Sequence, residues 1–330
     1  MPRKDRIVDV PMTAWWFEGL RIGLNQKRPY GVEKLVEPEV FKKVKSGYSH
    51  TNKWRVYKSG LRLPRASLIE KAEAVLPGSS ADFSHPIWKV GRLKEDQSIA
   101  GLADEWLHQL NLDLLPLLFR VDQGSGKEIR RGVSNPLLQK LIYRADLDAL
   151  AALSILLRES AEKHQYKLTM AVGGALYKGL LHAAVRGSEQ IRIVLPKIFE
   201  MLVERVFPLA RNRLYCYSFE GLDIPAFCKL FLAATDAKRE LLRLRHGELK
   251  SSDVDSIIFP GIVRPFGFLH FLIQPRPIVL SREFSDAEEN FQALLSTWKA
   301  AISVMQNLTE AGHASFCNAK ASVDHHRGIC

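Results

Sequence analysis

The chain has 330 residues, 46% hydrophobic and 25% charged, with a formal net charge of +11. Such proportions describe a globular protein with a sizeable core, long enough for two domains. Four irregularly spaced cysteines (Cys216, Cys228, Cys317, Cys330) exclude a disulfide framework, and the apolar runs are too short for a membrane span. Asp5 and Asp9 interrupt what would have to be the apolar run of a secretory signal, so the expectation is a cytoplasmic protein without a membrane segment.

The charge is unevenly distributed. Residues 1–95 hold 19 Lys and Arg against 10 Asp and Glu, leaving 28 against 26 for residues 96–330. From Val40 to Ile69 there are eight basic residues and no acid. An asymmetry of this kind points to one part of the chain facing a polyanion. The expected organisation is a basic domain over 1–95 and a larger helical domain over 96–330, with a possible subdivision near 250.

In chain order, TAWWFEGLRIGLN predicts a first helix, capped by Thr13, with Trp16, Leu20 and Leu24 on one face. Pro38 suits the first turn of a second helix running to Val44. After Ser46 and Gly47, a third helix is expected from Ser49 or Thr51 to just before Gly60. A fourth, from Pro64 through Leu76, would bury Leu68, Ile69, Ala72 and Val75, and Pro77–Pro86 reads as loop. Helical spacing recurs in SIAGLADEWLHQLNLDLLPLLFR, in SNPLLQKLIYRADLDALAALSILLRESAEKH and in QIRIVLPKIFEMLVERVFPLA. It returns in IPAFCKLFLAATDAKRELLRLRHGEL and in SDAEENFQALLSTWKAAISVMQNL. Val121–Asn135 reads as a loop, whereas the segments around Tyr215 and from Ile257 to Leu280 suggest extended chain. The fold class expected is therefore mainly α.

One stretch carries a family pattern. Tyr57, Lys58, Ser59, Gly60, Leu61, Arg62, Leu63 and Pro64 precede the apolar helix RASLIEKAEAVL, and Trp54 stands three residues before the tyrosine. This order of aromatic residue, two polar residues, Gly, a basic turn and Pro resembles the lambda-repressor-like helix-turn-helix, over about residues 13–76. The spacing from Gly47 to Trp54 and the link between the first two helices are longer than in that family, so the chain looks like a divergent member. The resemblance implies that the third helix lies in a major groove of double-stranded DNA. Ser49, His50, Thr51, Asn52 and Arg55 would then face base edges, with Asn52 and Arg55 suited to adenine and guanine. Lys42, Lys43, Lys53, Lys58, Arg62 and Arg65 would contact phosphates. Trp54 and Tyr57, at helical spacing, are expected in the core of the small domain.

Other constellations are weaker. His313, Cys317, His326 and Cys330 are metal-ligating types, but their spacing is that of no familiar zinc module. Arg158 and His164 fit the Arg, four to six residues, His pattern of helical ribonucleases, in which the His would act as general base on a ribose hydroxyl. No Ser, His, Asp arrangement or acidic pair stands at readable spacing, and no cofactor is expected. The reading is a DNA-binding protein, dimeric because paired half-sites multiply contacts, in a regulatory or mobile-element and defence-associated role. The alternatives are a ribonuclease or toxin-like effector using Arg158 and His164, and an adaptor that binds RNA or protein.

Overall fold

The computed structural model describes residues 5–40, 42–44, 47–49, 53–211, 215–219 and 276–279. They are mainly helical, as the apolar spacing predicts. The chain divides into two compact units, Met1–Leu232 and Ala233–Cys330, so the boundary expected near residue 95 falls inside the first unit.

The first helix, α1, spans Arg6–Gly23 and begins two turns earlier than expected. Thr13 is fully buried in its middle and caps nothing; Val8 and Met12, on the preceding turns, are buried as well. Helix α2 spans Pro29–Val36, ahead of the expected position, because Pro29 already has the φ of a first helical residue. Pro38 then acts as a stop: the residue before a proline is pushed out of the α region, and Glu37 has φ −135° and ψ 61°. The expected second helix over Pro38–Val44 is replaced by a 3-10 turn, Pro38–Val40, and a strand, β1, over Lys42–Val44. β1 pairs antiparallel with β2, Gly47–Ser49, in the register Lys42 to Ser49, Lys43 to Tyr48 and Val44 to Gly47. The expected third helix contracts to α3, Trp54–Ser59.

The end of α3 follows the sequence closely. Gly60 has φ +77°; its N–H donates to the Tyr57 carbonyl at 2.9 Å and the Leu61 N–H to the Val56 carbonyl at 3.1 Å. This is the paired closure in which glycine takes the left-handed position. A Cβ on Gly60 would also stand 2.2 Å from the Val10 carbonyl oxygen of α1. Helix α4, Ala66–Val75, follows the buried Pro64 and buries Leu68 and Ala72, while Val75 is exposed, contrary to expectation.

Trp16, Phe17, Leu20, Val32, Val36, Trp54, Tyr57, Leu68 and Ala72 form one buried cluster. Trp16 and Trp54 stack with ring centroids 5.7 Å apart, and Tyr57 meets Trp54 edge-on at 5.6 Å. Both aromatic residues of α3 are therefore core, as their spacing predicts.

The rest of the unit contains α5, Pro86–Arg92, α6, Ala103–His108, and α7, Leu115–Leu118. The loop expected from Val121 holds part of a short hairpin: β3, Phe119–Val121, pairs with β4, Glu128–Arg130. Next come α8, Asn135–Arg144, and α9, Leu147–Glu162, separated by Ala145 at φ 57° and capped by the Asp146 carboxylate on the Ala149 N–H at 2.8 Å. Helix α10 spans Tyr166–Arg186 and includes Gly173, Gly174 and Gly179. A Cβ on Gly173 would lie 2.6 Å from the Ala210 Cβ, so the glycine admits a close neighbour. Helix α10 is long and apolar enough to cross a membrane by length and composition, yet 72% of that window is buried inside the protein. The last described helix is α11, Glu189–Arg205. The extended chain expected near Tyr215 is present as β5, Tyr215–Ser218, and part of that expected up to Leu280 as β6, Arg276–Val279. The two C-terminal helical runs expected from the sequence lie outside the described residues.

Helix α1 joins the basic segment to the larger helices. Its Asp9 pairs with Arg92 of α5 at 2.8 Å, and Asp5, just before it, with Arg205 of α11 at 3.0 Å. The Trp15 indole donates to Asp82 at 2.9 Å, and its carbonyl accepts from Gln190 at 2.9 Å. Burial pushes the Asp82 carboxyl up to about 6, against the Trp15 hydrogen bond and the nearby His85, which pull it down. Because the folded-state value is raised, the stability supplied by the protonated form is present below about pH 4 and lost as pH rises through 6.

Two stability predictions result. Gly60→Ala should cost about 3 kcal/mol or more, from left-handed backbone strain and the clash with Val10. Gly78→Ala should cost only about 1 kcal/mol, because Gly78 shares the positive φ, at +91°, in open space; equal losses in denaturant titration would contradict the packing role. Asp82→Asn keeps an acceptor for Trp15 and should stabilise the protein by about 1–2 kcal/mol at pH 8, with the gain vanishing near pH 4. A gain independent of pH would contradict the desolvated carboxylate.

Candidate nucleic-acid interface

The acid-free window folds around the aromatic cluster. Trp54 and Tyr57 bury one side of α3, which leaves Arg55 and Lys58 on the other, and both are exposed. The turn after Gly60 exposes Arg62 and Arg65 as well. Among the described residues none of these four cations has a carboxylate partner, whereas many basic side chains elsewhere are paired. Leu61, between Lys58 and Arg62, is 63% exposed, an apolar tip among the charges.

The other expected contact residues divide. Lys53 precedes α3 and pairs with Glu37 at 2.7 Å; the other oxygen of that carboxylate accepts the Trp54 indole N–H at 3.0 Å. Glu37 is 6% exposed, so Lys53 is part of the scaffold that fixes α3 and not a free phosphate contact. Lys71 is likewise matched with Glu39. Lys42 and Lys43 are strand residues of β1, and Ser49 ends β2, so Ser49 does not begin a recognition helix. Its pairing with Lys42 is what removes it from helical geometry. His50, Thr51 and Asn52 lie outside the described residues. Of the two described base-edge candidates, Ser49 and Arg55, it is Arg55 that stands on α3.

The role of Glu37 is missed by sequence reasoning. Its one signal is position: it is next to the last acid before the acid-free window, and it sits where Pro38 ends α2.

Arg158 and His164 both line a cleft of about 400 Å³. Arg158 is 4% exposed, and its guanidinium donates to the carbonyls of Leu93, Lys94, Gln97 and Arg205. Burial pushes its pKa down, and the chain's own carbonyls occupy its terminal nitrogens. His164 has φ 54° and closes α9: its N–H donates to the Ala161 carbonyl at 3.0 Å and the Gln165 N–H to the Ser160 carbonyl at 2.9 Å. Glu95, Asp96 and Glu162 line the same cleft, a poor setting for a phosphodiester. Both residues thus have structural tasks.

His313, Cys317, His326 and Cys330 lie outside the described residues. Among the described residues, no group of three or more His, Cys, Asp or Glu side chains is placed to hold a metal. Comparison with protein-family models, with curated proteins and with solved structures finds no match to this chain.

The structural tasks of Arg158 and His164 are separable. Arg158→Leu would strand four carbonyls and should cost about 3–5 kcal/mol in urea unfolding. His164→Gly relieves the left-handed strain and should be neutral or stabilising by up to about 1 kcal/mol. A ribonuclease activity abolished by His164→Gly would contradict this assignment.

Proposed function

We propose that this protein binds double-stranded DNA through the basic segment that follows α2, as a regulatory or mobile-element and defence-associated factor. The observation that carries the reading is the set Arg55, Lys58, Arg62 and Arg65: exposed, without carboxylate partners among the described residues, and anchored to a buried aromatic core. Duplex DNA is a dense line of phosphates, and fixed cations bind it by releasing condensed counterions. A flexible basic tail would have to be ordered on binding, whereas α3 and its closing turn are held in advance by Trp54, Tyr57 and Gly60.

The resemblance to the lambda-repressor-like class supports the same reading through the elements α3, turn and α4. The closure at Gly60 and the buried Pro64 are the features that turn requires. A homodimer in the cytoplasm fits a module of this size, since one copy makes few contacts.

Binding of the purified chain to random-sequence duplex DNA across a salt series tests this. Affinity should fall steeply with salt, with a logarithmic slope near −3 to −4 for about four neutralised phosphates. Alanine at Arg55, Lys58, Arg62 or Arg65 should each reduce that slope by about 1, and Lys53→Ala should reduce it less while lowering stability. Salt-insensitive binding, or single-stranded RNA held more tightly than the duplex, would count against it.

A further inference from the structure

Resting on the DNA-binding reading, we infer that the β1–β2 hairpin, and not α3, is the element that enters the groove, and that the groove is the major one. Helix α3 is poorly placed to read bases. It has six residues, about 9 Å of helix. Its leading end, the part a recognition helix presents to base edges, is drawn inward: Trp54 is fully buried, and Lys53 and Trp54 both bond Glu37. What α3 leaves exposed is Arg55 and Lys58, which lead into Arg62 and Arg65. That line of cations suits a phosphate backbone.

The hairpin has the complementary properties. Its strands pair with each other, and no other described element is a substantial backbone neighbour of either one. Two paired strands, separated by about 4.8 Å, make a ribbon that the major groove admits at about 12 Å and the minor groove excludes at about 6 Å. The register places Lys42 opposite Ser49 and Lys43 opposite Tyr48, so both of these rungs pair a cation with a hydroxyl residue. Lys and Ser are both groups that read base edges in that groove. The chain from Ser49 to Lys53 spans at most about 14 Å, which keeps the ribbon beside the start of α3. A ribbon in the groove and the α3–α4 cations on the adjoining phosphates are thus compatible positions on one duplex.

The test compares binding of the full chain to a short random-sequence duplex and to the same duplex with glucosylated 5-hydroxymethylcytosine, which fills the major groove. Wild type should bind the modified duplex at least about tenfold more weakly. Lys42→Ala and Ser49→Ala, which form one cross-strand pair on one face of the ribbon, should each weaken binding to the plain duplex by about threefold to tenfold, with circular dichroism unchanged. If glucosylation has no effect, or both hairpin variants bind like wild type while Arg62→Ala weakens, the hairpin is not in the groove and the DNA-binding reading survives. Failure to bind either duplex removes both.

Discussion

The stack of Trp16 on Trp54 is the contact on which the basic segment depends. Two indoles 5.7 Å apart, both fully buried, with Tyr57 edge-on to each, fix the roll of α3 about its axis. An aromatic side chain of this size removed from a core costs about 3–5 kcal/mol, more than any exposed cation could recover by rearranging. Once Trp54 and Tyr57 face inward, helical geometry sends Arg55 and Lys58 outward. Charge display is in this sense a by-product of core packing. Glu37 completes the arrangement by accepting the Trp54 indole proton and pairing with Lys53.

The same helix that supplies Trp16 also ties this segment to the rest of the unit. Helix α1 is buried along most of its length, with Trp16, Phe17 and Leu20 in the basic segment's core. Asp9, Trp15 and Glu18 meet partners in other parts of the unit, directly or through Arg21. That double burial explains why no unit boundary falls near residue 95.

Legibility in the sequence follows backbone constraint. The Tyr57, Gly60, Pro64 turn was readable because each residue has few alternatives there: a left-handed glycine against the Val10 carbonyl, and a buried proline just ahead of the N-cap of the next helix. The hairpin was not, because strands of three residues carry too few side chains to show a period of two, and Lys42 and Lys43 are not typical strand formers. Helix α10 carries Gly173, Gly174 and Gly179, poor helix formers that serve close packing. Arg158 could not be resolved from a catalytic arginine in one dimension, since its partners are carbonyls of residues far away in the chain. Charge, by contrast, was legible as a total while its pairing was not: Lys53 and Arg55 look alike in sequence, and only the fold hands one to Glu37.

The most direct test of a preorganised cationic face is amide hydrogen exchange of the full chain with and without duplex DNA. Added protection should fall on Lys42–Ser49 and on the segment from Arg55 through Arg65, while α3 is already slow to exchange in the free protein and α9 and α10 are unchanged. Protection that appears only on the larger helices, or an α3 that is unprotected until DNA is added, would contradict the account.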